Sequence, residues 1–179
     1  MLYVFGFDKV GVVVGDMYFV DPDPIPGQES PERGVRLEVR LLEQGQMDGT
    51  IYAARPIAID RPVWRADLLE SVDSPPGSFD RTHHHPHFEE WEPGEREFVA
   101  ALSADPLAYV ASSLSDLESL LVASHMSLDD VGQDDPRLLR ESVPEILDAT
   151  SRLLARVQAG ELATAPVDGD SNSVRASWL

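Results

Sequence analysis

Asp60-Arg61-Pro62-Val63-Trp64-Arg65-Ala66-Asp67-Leu68-Leu69 decides the fold, because it reads two ways. Asp60 ahead of Pro62 has the pattern of a helix start, with an acidic cap and a proline in the first turn. Trp64, Ala66 and Leu68 also alternate with Arg65 and Asp67, the period of a strand with one apolar face. The residues downstream select the strand. Ser74-Pro75-Pro76-Gly77-Ser78 is a turn, and the histidine-rich stretch beyond it supplies a partner strand.

Further strands are expected upstream. Leu2 to Phe7 and Val10 to Val14 are rich in aromatic and β-branched residues, and Gly15-Asp16 has hairpin chemistry that would fold Met17 to Val20 back on Val10 to Val14. The Asp21 to Gly27 segment, with three prolines, is a stiff loop. Val35, Leu37, Val39 and Leu41 alternate with Arg36, Glu38 and Arg40, which predicts one buried face and one wet face. Ile51, Ala53, Ile57 and Ile59 are expected to share a face, with a bulge at Pro56 that leaves Arg55 in solvent. The first half is thus an antiparallel sheet of about five to seven strands, curled toward a half barrel.

After Glu92-Pro93-Gly94-Glu95 the period lengthens to that of a helix. Leu107, Val110, Ala111, Leu114, Leu117 and Leu121 form one stripe, Asp105 ahead of Pro106 is a cap, and a capping box from Ser115 to Glu118 splits the stretch. Asp129, Asp130, Asp134 and Asp135 read as a solvated acidic loop, since they lack the ligand spacing of an EF-hand. Ser142 with Glu145 is a second capping box, which would place Pro144 in a first turn, and that helix ends near Gly160. The reading is α+β: an N-terminal antiparallel sheet packed with C-terminal helices, a single domain over 1–160, and a disordered tail over 161–179.

Composition narrows the function. The 32 acidic residues against 14 basic ones give a formal charge of -18, which disfavours broad nucleic-acid or anionic-membrane binding and leaves a protein partner open. There is no cysteine, so thiolate metal sites and cysteine nucleophiles are excluded. No leader or membrane-spanning pattern is apparent at the start of the chain, which makes cytoplasmic the expected location.

Four of the five histidines fall between His83 and His87. Pro86 biases His85 toward extended backbone, so His83, His85 and His87 project to one face and His84 to the other. Alternate Cα atoms on a strand lie roughly 6.5 to 7 Å apart, close enough for imidazoles to converge on one cation. His83, His85, His87 and Glu89 are the candidate ligands, for zinc or non-haem iron, in a metal-dependent hydrolase. A metal-free alternative uses His84 as acid-base group, Arg81 as anion clamp and Asp67 to orient an imidazole, as in a phosphodiesterase or RNase-like site. A third reading is a non-catalytic protein-interaction module, and a fourth leaves the histidines as ordinary hydrogen-bonding residues of a turn. Trp64, Phe88 and Trp91 are expected in the core or a pocket wall.

The fragment His83-x-His85-x-x-x-Glu89 resembles the ligand part of the first cupin motif at those three positions. The resemblance implies metal ligation there. The glycines that family places on either side are out of register, and the chain is not assigned to it.

Overall fold

In the computed structural model, which describes residues 1–165, the first half of the chain is an antiparallel meander. Its strands are β1 (Leu2–Gly6), β2 (Val10–Phe19), β3 (Glu32–Gln44), β4 (Ile57–Ser71) and β5 (His83–His85), paired in that order. A small hairpin of β6 (Phe88–Glu89) and β7 (Glu92–Pro93) comes next. The helices are α1 (Ala100–Ala104), α2 (Pro106–Ser115), α3 (Leu117–Ala123) and α4 (Asp135–Gln158), with a 3-10 turn at Leu128–Asp130. The α+β architecture read from the alternation is the one observed. The strand choice for Trp64 to Leu68 holds, and β5 is its partner through Asp67 opposite His83 and Arg65 opposite His85.

One face of the sheet is the apolar core. Val10, Val12, Val14, Val35, Leu37, Val39, Trp64, Ala66 and Leu68 are buried there against Val110, Leu114, Leu121, Leu139, Ile146 and Leu153 of the helices. Full burial of each such aliphatic side chain contributes about 1.5 to 3 kcal/mol, so this layer supplies the main drive for folding.

Several expectations are corrected. Gly15-Asp16 is no turn: β2 runs unbroken, with Gly15 opposite Arg36 and Asp16 opposite Val35, and the reversal lies earlier, where Phe7 N–H donates to the Val10 carbonyl at 2.9 Å. Ile51 and Tyr52 are in an exposed connection outside the sheet, at 82% and 90% exposure, because the β3–β4 ladder ends at Gln44 opposite Ile57. Arg55 is in solvent as expected, but the register shift falls at Arg40, opposite Pro62, where the missing amide donor interrupts the ladder.

Asp105 caps α2 through the Ala108 amide as expected, whereas α3 is capped by Asp116, which accepts from the Ser119 amide. Pro144 sits inside α4, and no new helix starts at Ser142. The helix tolerates it because both Pro144 and Arg140, whose carbonyl loses its partner, are on the exposed side. Asp135 is fully buried, far from the solvated role expected of it, and accepts from the amides of Asp8 (2.9 Å), Lys9 (3.1 Å) and Gly132 (2.7 Å). It thereby ties the β1–β2 turn to the start of α4. Within the expected tail, Ala163 is buried and its amide donates to Asp16 at 3.1 Å; residues 166–179 lie outside the described residues.

Candidate metal centre

The alternation predicts a wet second face for the sheet. That face is instead a buried polar layer, because the chain after β5 folds back across it. Gly15, Arg36, Asp67 and His83 lie in one cross-strand row, and Val13, Glu38, Arg65 and His85 in the next. Basic and acidic side chains alternate along and between these rows. Phe88 from β6 covers Arg65, whose guanidinium carbon is 5.5 Å from the ring centroid, and Phe98 packs on His83 at 5.4 Å between centroids. The Gly94 carbonyl reaches down to the His85 ring. Asp67, Glu32, Glu38, His83 and His85 are all buried as a result.

Asp67 is the hub of this layer. Arg36 holds it with Nε at 2.6 Å from Oδ1 and Nη2 at 3.2 Å from Oδ2, and Arg65 Nε lies 3.0 Å from Oδ2. Burial alone would raise its carboxyl, but Arg36 and Arg65, with a contribution from His83, outweigh burial and hold it well below the usual carboxylate range. Burial depresses Arg65, against the attraction of Asp67. Glu32 goes the other way: burial raises it, although His83, Arg96 and Arg81 pull against the shift.

Both imidazoles present the same nitrogen to Asp67. His83 Nδ1 donates to the Arg81 carbonyl and His85 Nδ1 to the Gly94 carbonyl, each at 2.8 Å. A carbonyl can only accept, so these contacts fix the Nδ1–H tautomer of the neutral ring and leave the Nε2 lone pair directed inward. His83 Nε2 is 3.4 Å and His85 Nε2 3.7 Å from Asp67 Oδ2. Lone pair facing carboxylate is repulsive without a proton or cation between them. For His85 that cation is Arg65, whose Nη2 donates to Nε2 at 2.8 Å. Burial first, and then the Arg65 charge, push the His85 imidazole down to about 4.

The remaining candidates from the sequence are placed elsewhere. β5 ends at His85, and Pro86 turns His87 away from His83 and His85, toward His125 at 6.1 Å between ring centroids. Glu89 is exposed on β6. His84 lies on the opposite face of the sheet, 5.6 Å from the Tyr109 ring and with Nε2 3.4 Å from Glu97 Oε2; burial lowers its pKa against the pull of Glu97. Arg81 stands at the edge of the layer, Nη2 donating to the Gly27 carbonyl at 3.2 Å and Nε 3.8 Å from Glu32 Oε1. Asp67, His83 and His85 are therefore the candidates brought together, while His84, His87, Glu89 and Arg81 are not part of that group.

Arg36, Arg65, Glu32 and Arg96 carry the site, and sequence reasoning misses them. A signal exists for the first two: Arg36-x-Glu38 and Arg65-x-Asp67 run antiparallel, so each acid faces a base across the ladder. Glu32 and Arg96 have none, since only the fold brings them near. Together with Met17, Phe19, Leu69 and Pro93, these charged residues and the two histidines line a cavity of about 280 Å³. Trp64 is core as expected and Phe88 is buried against Arg65 and His85, but Trp91 is exposed, with Arg40 stacked 5.5 Å from its ring. No protein family, curated sequence or solved structure gives a significant match to this chain. None of the chain's helices among the described residues is long and apolar enough to cross a membrane.

Proposed function

We propose that Asp67, His83 and His85 hold one divalent cation of the zinc class, and that the protein is a hydrolase whose reacting group enters the adjoining cavity. The observation that carries this is the convergence of two Nε2 atoms on one carboxylate oxygen, with each Nδ1 2.8 Å from a backbone carbonyl. Donor atoms about 2.0 to 2.1 Å from a tetrahedral zinc are separated by about 3.3 Å. The 3.4 and 3.7 Å separations fit that spacing, and the three donors all lie within 4.8 Å of one another. Backbone carbonyls on the far ring nitrogens are the outer contacts that orient histidine ligands. Two histidines and one carboxylate leave coordination positions open, as catalytic zinc and non-haem iron sites do. Bound there, the metal would bring the pKa of a water toward about 7. Arg36 keeps Asp67 ionised and oriented, and Glu32 offers a carboxyl whose raised pKa suits proton transfer.

Arg65 favours a second reading. Its guanidinium already satisfies His85 and Asp67, so the layer is also consistent with a metal-free site in which His83 and Glu32 exchange protons with the substrate. A concave, charged cavity fits either enzyme better than an interaction module, whose contact surface is flat with an apolar centre. Zinc-reconstituted protein assayed against carboxylic and phosphoric esters separates the two. Activity abolished by chelator, restored by zinc and lost in Asp67→Asn is expected; activity indifferent to chelator would select the metal-free reading.

A further inference from the structure

We infer that the cavity above the metal centre is a small-oxyanion subsite, in which Arg96 binds a carboxylate or phosphate group and Glu32 sets its affinity. This rests on the hydrolase reading and deepens it, because it names the substrate class for the same cavity. In a chain of formal charge -18, this lining carries three guanidiniums, from Arg36, Arg65 and Arg96, against two carboxyls, from Glu32 and Asp67. Each guanidinium has a carboxylate partner at rest, Asp67 for Arg36 and Arg65 and Asp21 for Arg96, so a divalent cation would add positive charge that an anionic ligand in the cavity offsets.

Arg36 is hydrogen-bonded to Asp67 through Nε and Nη2, and Arg65 is ion-paired with Asp67 and donates through Nη2 to His85. Among the described residues Arg96 is held by one polar contact, Nη2 to Asp21 Oδ2 at 3.1 Å, and it is the most accessible of the three at 31% side-chain exposure against 15% for Arg36 and 12% for Arg65. It therefore has donors to spare at the cavity mouth, in a fork that matches an oxyanion. Glu32 is 4% exposed, and its Oε2 has no hydrogen-bond partner among the described residues. A buried carboxyl oxygen left unpaired beside a cavity is satisfied when a ligand fills the cavity. Burial favours its protonated form, which donates to an oxyanion; when ionised it repels one.

The test is calorimetric titration of inorganic phosphate, and separately of acetate, into chelated and zinc-loaded protein, with folding monitored by circular dichroism. Wild type is expected to bind in both forms, more tightly with zinc. Arg96→Gln should weaken binding by about tenfold, the scale of one charge-assisted pair. Glu32→Gln should strengthen it, since the amide keeps a donor and cannot ionise. Opposite effects from two variants of one pocket cannot come from misfolding. Phosphate against acetate tells a phosphate group from a carboxylate as the preferred ligand. Binding of neither anion by either form, or binding indifferent to both substitutions, overturns the inference. Zinc binding without oxyanion binding would sink this inference alone, and oxyanion binding without zinc binding would sink the metal centre alone.

Discussion

Arg65 donates through Nη2 to Nε2 of His85 at 2.8 Å, so a guanidinium occupies the direction in which that imidazole would bind a metal. Loading the centre requires the Arg65 head to swing aside. Removal of that positive charge should then favour the metal. Arg65→Gln is expected to raise zinc affinity by on the order of tenfold, given the repulsion between a guanidinium and a divalent ion at such short range. Competition titration with a chromophoric chelator measures it; unchanged or weaker affinity would show that Arg65 does not compete.

Asp67 should govern acid stability. Its folded pKa lies well below the ordinary carboxylate value, so its contribution is present above that ordinary value and is lost as pH falls toward the folded pKa. Asp67→Asn leaves the half-buried Arg36 and Arg65 without the carboxylate they share, a loss of up to about 3 kcal/mol. Urea midpoints as a function of pH check both. The variant should be less stable at neutral pH and should lose the steep part of the acid limb.

His85 offers a direct titration. In metal-free protein its imidazole should stay neutral until about pH 4. A histidine held neutral in the fold contributes stability above its unfolded pKa near 6.5, and that contribution falls away between there and about 4. Ring proton or nitrogen shifts by NMR report the value. Arg65→Gln should move the midpoint upward, because it removes a charge that disfavours the imidazolium.

Asp135 tests the fold apart from the site. Asp135→Ala strips the acceptor from the Asp8, Lys9 and Gly132 amides, and unpaired buried donors cost about 1 to 3 kcal/mol each. Loss of at least about 3 kcal/mol in denaturant unfolding is expected, with zinc affinity of the folded fraction unchanged.

Part of this fold is legible in the sequence, and the rest is hidden for definite reasons. Alternation in Val35 to Leu41 and in Trp64 to Leu68 locates β3 and β4, because one side of each strand packs on helices and must be apolar. The same alternation misleads about the other side. Arg36, Glu38, Arg65 and Asp67 look solvated, and the return of the chain across them after β5 buries Glu38 and Asp67 and half-buries the two arginines. Gly15-Asp16 imitates a turn, yet β2 runs straight through it and Gly15 lies in the cross-strand row of Arg36 and Asp67. Histidine spacing correctly pairs His83 with His85. It cannot show that Pro86 ends the strand before His87, nor that Asp67, rather than Glu89, is the carboxylate they face.

The most direct measurement is zinc stoichiometry by elemental analysis of reconstituted, folded protein, compared across His83→Ala, His85→Ala, Asp67→Asn, His87→Ala and Glu89→Ala. A centre built on Asp67, His83 and His85 predicts about one zinc per chain in the wild type, retained in the His87 and Glu89 variants and lost in the other three. No zinc in the wild type, or equal loss on substitution of His87, would contradict it.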